Sequence, residues 1–240
     1  MKTRQSFVRA LALGISAIAW CAVAQASQLV VNGSFETVNG SFTSSNALQT
    51  QTTNLPGWHT TNANGLAELW RAPGNDVGTP RTAASGTIWA ELNARDPSNL
   101  YQEFTGVGTN AALTLDFAHR GRNGIDAMSA TLTDLGADNL FGTADDSVLF
   151  SQVYGDDASS WAFYNIGGIA SRGNTLRLAF AAVSSFGGAG AAGNFLDAVS
   201  LQAVPEPGSV ALVGLGLFAA LCVRKRKPQA GTLAMNLAVA

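Results

Sequence analysis

Residues 134–146 hold the densest group of side chains in this chain that could bind a cation: Asp134, Asp138, Asn139, Asp145 and Asp146, with glycines at 136 and 142 that let the backbone fold back. Carboxylates are hard oxygen ligands, and calcium takes about six to eight of them. Four aspartates and an asparagine would supply most of that shell. The segment departs from the EF-hand loop, having neither its regular alternation nor its closing Glu. A solvated acidic hairpin loop is the competing reading.

Aromatic side chains offer a second chemistry, because a pyranose face stacks on an indole or phenol ring as other apolar faces do. Trp89 and Trp161 lie in strand-like runs, so these read as core. Trp70 beside Arg71 and Tyr101 beside Gln102 are the candidates for an exposed platform with a polar rim.

Catalysis finds less support. His59 and His119 stand apart, with no Gly-x-Ser-x-Gly nucleophile motif beside either. Both read as hydrogen-bonded structural residues. The turn from His119 to Gly124 carries Arg120 and Arg122, which could grip a uronic acid or phosphate, or could simply be solvated. Glu91 and Glu103 would cleave a glycoside only at a fixed separation. The Gly-rich segments follow no strand-to-helix pattern, which excludes a phosphate loop.

These residues need a scaffold, and its hydrophobic period is two. Leu113, Leu115 and Phe117 alternate with Thr114, Asp116 and Ala118, and Leu176, Leu178 and Phe180 with Thr175, Arg177 and Ala179. Further strands are expected at 29–32, 66–71, 87–92, 100–104, 128–133, 148–153, 161–166 and 195–201, with Asn39-Gly40, Asn64-Gly65 and Asn123-Gly124 as turns. Many short strands in one domain point to an all-β fold, an antiparallel β-sandwich of the jelly-roll kind. Residues 187–193 form a Gly/Ala connection before the last strand.

The two ends are built differently. Lys2, Arg4 and Arg9 precede an apolar stretch at 10–23 and the small-x-small sequence Ala24-Gln25-Ala26, which is the layout of a signal peptide over 1–26. Cys21 does not read as a lipidation site, since Trp20 stands where a small residue is wanted. Near the other end, Pro205, Glu206 and Pro207 precede an apolar run at 209–223 and the cations Arg224, Lys225, Arg226 and Lys227. The run is 15 residues long, short of the roughly 20 that span a bilayer comfortably. The four cations would stop transfer on the cytoplasmic side. This tail resembles the PEP-CTERM sorting segment of Gram-negative bacteria. The resemblance implies processing by an exosortase at the motif, transient contact with the inner membrane, and a final place at the cell surface, outer membrane or extracellular matrix. The chain then divides into 1–26, a domain at 27–203, a sorting and anchor segment at 204–227 with a short hydrophobic helix, and a cytoplasmic tail at 228–240.

With both ends set aside, the composition changes. Residues 27–203 carry 7 arginines and no lysine against 15 Asp and Glu, a formal charge of −8, whereas the whole chain is at −2. So acidic a domain excludes nucleic acid as a partner, since phosphate binding relies on clustered cations. Both cysteines, Cys21 and Cys222, fall outside it, so no disulfide supports it.

A second resemblance covers most of this domain. Val31-Asn32-Gly33-Ser34-Phe35-Glu36, Leu55-Pro56-Gly57-Trp58, Trp89-Ala90-Glu91-Leu92, Leu100-Tyr101-Gln102-Glu103-Phe104 and Phe195-Leu196-Asp197-Ala198-Val199-Ser200-Leu201 look like galactose-binding-like jelly rolls, a group that includes carbohydrate-binding modules. The resemblance implies a structural calcium between the first and last strands, held by Glu36 and Asp197 with carbonyls near Ser34; both residues otherwise read as turn or cap carboxylates. The expectation is a non-enzymatic exported protein that binds or organises extracellular polysaccharide at the cell surface or in a biofilm matrix, with Trp70 and Tyr101 as ligand contacts. A structural or adhesive matrix protein without a specific glycan site is the alternative, and a glycoside-active enzyme a third reading.

Overall fold

Strict alternation gives each strand one apolar face, and two sheets bury those faces against each other. The computed structural model describes residues 26–44, 46–76 and 79–204. Most of the expected signal peptide lies outside the described residues, as do Pro205, Glu206, Pro207, Arg224, Lys225, Arg226 and Lys227.

The strands are β1 (Ser27–Gln28), β2 (Ala47–Gln51), β3 (His59–Thr60), β4 (Leu66–Arg71), β5 (Gly74–Asp76), β6 (Thr79–Arg81), β7 (Ile88–Glu91), β8 (Asn99–Phe104), β9 (Ala112–Arg120), β10 (Asp126–Asp134), β11 (Ser147–Asp156), β12 (Ala162–Ala170), β13 (Leu176–Ser184) and β14 (Phe195–Val204). A seven-stranded sheet runs β12-β9-β14-β7-β4-β2, with β1 also on β14, and a five-stranded sheet runs β11-β10-β13-β8-β3. β5 and β6 form a separate ribbon. The described pairings are antiparallel, and the only helical pieces among the described residues are single 3-10 turns at Thr52–Asn54 and Phe186–Gly188. The expected all-β sandwich is what the chain forms. Among the described residues no helix is long and apolar enough to cross a membrane.

The core lies between the two sheets. Leu69, Ala90, Leu113, Leu115, Phe117, Leu196 and Leu201 meet Leu100, Met128, Leu132, Leu176, Leu178 and Phe180 there, each at most 1% exposed. Trp58 closes one end, stacked on Phe35 at 5.0 Å and donating its indole N–H to the Asn32 carbonyl.

The segment expected as a strand at 29–32 is a loop instead. Asn32 and Phe35 take φ of 54° and 60°, which ends pairing after Leu29 donates to the Leu201 carbonyl. The side chain of Gln102 replaces a strand partner, accepting from Val31 N and donating to Val31 O. This loop meets a bulge in β14, where the register on β9 slips between Asp197 and Ser200 and Ala198 has φ 52°. A Cβ on Gly33 would sit 1.9 Å from the Val199 carbonyl oxygen, so the contact requires glycine.

Candidate functional site

In a sandwich the outward residues of a central strand set can be read from register. On the five-stranded sheet Tyr101 pairs with Ala179 and Ala179 with Thr131, while Asn99 pairs with Ala181 and Ala181 with Ser129. Small side chains on the middle strand therefore floor a trough. Its volume is about 260 Å³, and its lining includes Asn99, Ser129, Thr131, Phe141, Asp146 and Arg177. On one flank His59, paired with Tyr101 across β3 and β8, stacks on the Tyr101 ring at 5.4 Å and 30°.

Arg177 organises this face. Its guanidinium carbon lies 3.5 Å from the centroid of Tyr101 and 4.0 Å from that of Phe141, so the cation is held between the two rings. Nη1 pairs with Glu103 Oε1 at 3.3 Å, and the Arg177 side chain is 9% exposed. Its Nε makes no hydrogen bond within the protein. The same holds for Asp146 Oδ1, a buried acceptor of the same trough.

The acidic segment 134–146 is therefore the wall of the trough. Its carboxylates are turned onto the segment's own backbone: Asp145 Oδ2 accepts from Ala137 N at 2.7 Å, Asp146 Oδ2 from Gly142 N at 2.7 Å, Asp138 Oδ1 from Leu140 N at 2.9 Å and Asp134 Oδ1 from Gly136 N at 3.1 Å. The Thr143 hydroxyl, followed by these amides, holds Asp145 below the usual carboxylate range. No three His, Cys, Asp or Glu side chains among the described residues are grouped so as to hold a metal ion.

Glu36 and Asp197 come close, but as a clasp. Glu36 Oε1 accepts from Thr87 N and Ile88 N, both at 2.7 Å, and Asp197 Oδ2 from Ala84 N at 2.8 Å and Ser85 N at 2.9 Å. Asp197 Oδ1 accepts from Ala198 N, and the Gly33 carbonyl is taken by Val199 N. Burial pushes Asp197 up to about 7; the backbone bonds oppose this and the Glu36 charge adds to it. Amide hydrogens engage three of the four carboxylate oxygens and the Thr87 hydroxyl donates to the fourth, Glu36 Oε2, at 2.9 Å, so the pair does not fit a calcium shell in this arrangement.

Trp70 corrects an expectation. It is 4% exposed and offers no open platform. Across β4 and β7 it pairs with Trp89, and with Phe195 these form a second apolar cluster on the outer side of the seven-stranded sheet, packed against Ala47, Ala72, Ala83 and Trp161. Trp70 Nε1 donates to Glu91 Oε2 at 2.8 Å, and Arg122 lies over its ring at 4.9 Å.

The remaining sequence candidates serve this interior. Arg122 Nη1 pairs with Glu91 at 2.8 Å and Arg120 donates to the Ala158 carbonyl, so both arginines of the turn are engaged internally. Desolvation pushes Glu91 up to about 7 despite Arg122, with the neighbouring Glu68 acting in the same direction. Glu91 and Glu103 sit on different sheets, each on an outward row, and do not face each other across a cleft. His119 is fully buried between Asp156 Oδ2 and Asn194 Oδ1, a structural position.

Two residues of the trough, Arg177 and Phe141, were not singled out from the sequence for binding. Their signals were an arginine within an apolar alternation and an aromatic at the tip of an otherwise polar loop.

Residues 203–227 match the PEP-CTERM protein-sorting motif. The motif marks the chain for exosortase-sorted export and a cell-surface or extracellular place. No curated protein matches the chain. Solved structures similar to it include a family-61 carbohydrate-binding module in complex with β-1,4-galactotriose, at TM-score 0.44 and 15% identity over 73% of this chain and 97% of that one. Others are a putative sugar binding protein from Bacteroides thetaiotaomicron, at 0.44 and 12% over 74% and 100%, and a xylan-binding domain from Paenibacillus barcinonensis, at 0.41 and 11% over 66% and 98%.

Proposed function

We propose that this protein is a non-enzymatic, exported carbohydrate-binding protein that holds or organises extracellular polysaccharide, at the cell surface or in a biofilm matrix. The observation that carries the reading is the outer face of the five-stranded sheet. There a half-buried Tyr101, steadied by His59 and Arg177, borders a trough floored by alanines and lined by the side-chain oxygens of Ser129, Thr131 and Asn99. His59 and Arg177, from the strands on either side of β8, cover the faces of Tyr101, so its exposed edge and hydroxyl are what it offers a sugar beside the polar groups of the trough. Asn99, Ser129 and Thr131 are not arranged as nucleophile and base, which favours binding over turnover.

The experiment is binding of the full chain, kept in detergent, to a panel of polysaccharides that includes the exopolymer of the producing cell. Saturable binding that Tyr101→Ala removes supports the reading. Equal binding by both forms would count against this face.

One observation favours a structural or adhesive matrix role. The edge strands β11 and β12 carry no charged side chain over 147–155 and 162–170 and contain no proline, the residues that usually protect an edge from pairing with another chain. Assembly into fibres without saturable glycan binding would support that second role.

A further inference from the structure

One donor and one acceptor of the residues lining the trough are buried without a partner: Arg177 Nε and Asp146 Oδ1. Leaving both unbonded in a place shielded from water is unfavourable, and nothing in the interior of the fold requires it. Two rings cover the Arg177 guanidinium, Tyr101 on one side and Phe141 on the other. Phe141 is 57% exposed at the tip of the 134–146 loop and rests on the Arg177 guanidinium.

A ligand in the trough able to satisfy both atoms must accept from one and donate to the other. A hydroxyl does either, and two neighbouring hydroxyls on one ring do both at once. A carboxylate donates nothing. It would also meet Asp146 and Glu103 at the same place, since Glu103 already neutralises Arg177 at 3.3 Å.

We infer that the trough reads a neutral sugar ring, with Arg177 Nε donating to one hydroxyl and Asp146 Oδ1 accepting from its neighbour once Phe141 is displaced, and that it rejects uronic acids. This rests on the carbohydrate reading of the same face. Charged partners make the two bonds strong, and a site built to bond a hydroxyl discriminates sharply against a ligand lacking it. The acidic surroundings act in the same direction, with a formal charge of −8 over residues 27–203.

The test uses the unaltered full chain in detergent and matched pairs of polysaccharides, each neutral polymer alongside its form oxidised to the carboxylate at C6. At least one neutral polymer is expected to bind, and its oxidised form to bind about tenfold or more weakly. Asp146→Asn keeps the loop's shape while replacing the charged acceptor, and is expected to weaken neutral binding about tenfold, with thermal melting confirming the fold. Oxidised polymers binding as well as neutral ones, or Asp146→Asn binding like the parent protein, would overturn the inference while Tyr101→Ala still showed the face to be the sugar site. If no polymer binds, or Tyr101→Ala changes nothing, the carbohydrate reading itself fails, and this inference with it.

Discussion

Arg177 lies flat against Tyr101, its guanidinium carbon 3.5 Å from the ring centroid, and so fixes the ring that borders the trough. The contact couples two roles that are usually separate. Arg177 packs as an apolar slab on Tyr101 and Phe141 while its polar edge is kept for Glu103 and for the trough.

Because Tyr101 is half-buried at the sheet surface and Trp70 belongs to an interior cluster, their replacements should separate binding from stability. Tyr101→Ala is expected to change stability by about 1 kcal/mol or less and to abolish polysaccharide retention. Trp70→Ala should destabilise by roughly 3–5 kcal/mol, because it opens a cavity and strips Glu91 of a donor. Chemical denaturation and affinity electrophoresis on both variants check this.

Acidity should stabilise this fold down to about pH 4. Glu91 rises from 4.5 and Asp197 from 3.8, each to about 7 in the folded protein, so between those limits the native state holds more protons than the unfolded chain. Stability therefore falls as pH rises through that window and levels off above about 7. The loss from pH 5 to pH 8 should be on the order of 5 kcal/mol for the two groups together. Below the window Asp145, Asp156 and Asp157, all held low by hydrogen bonds, reverse the slope. Melting curves between pH 4 and 9 should show the decline, and Glu91→Gln should reduce it to about half, the part Asp197 contributes.

Calcium should leave the melting temperature unchanged. The oxygens of Glu36 and Asp197 accept from residues 84–88 and from Ala198, and each aspartate of 134–146 has one oxygen turned onto the loop's own backbone. Scanning calorimetry in calcium and in chelator checks this. A saturable rise in calcium, lost in Asp197→Asn, would show that the clasp rearranges around an ion.

Gly33→Ala should be among the most damaging single-methyl additions, by about 3 kcal/mol. The new Cβ would fall 1.9 Å from the Val199 carbonyl oxygen, and backbone on both sides must move to admit it. The neighbouring substitution Ser34→Ala supplies the control. Urea denaturation of both variants measures the difference.

Alternation made the long strands legible because each has one face in the common core; Leu113, Leu115 and Phe117 on β9 and Leu176, Leu178 and Phe180 on β13 are the clear cases. β2 was not recognised, since Leu48 is its one large apolar residue. β5 and β6 form their own ribbon outside the two sheets, so the core gives them no period to follow. Trp70 was misplaced for the converse reason. β4 is buried from Ala67 to Trp70 on both of its faces, so alternation there carries no information about exposure. Tyr101 was found because β8 keeps a true wet side. Its partners Arg177 and Phe141 arrive from β13 and from the loop after β10, and only the register brings them together.

β14 ends at Val204, the last described residue before Pro205, and it runs between β9 and β7 with β1 paired near its end at Ser27↔Ala203. Force applied at Val204 along the strand axis would be delivered through a strand held on both sides. The ladder from Val204↔Ala112 to Phe195↔Arg120 is then loaded in shear, with many bonds sharing the force, instead of being unzipped one bond at a time. Such loading resists rupture, and single-molecule extension from Val204 should show a higher rupture force than extension applied across the edge strand β11.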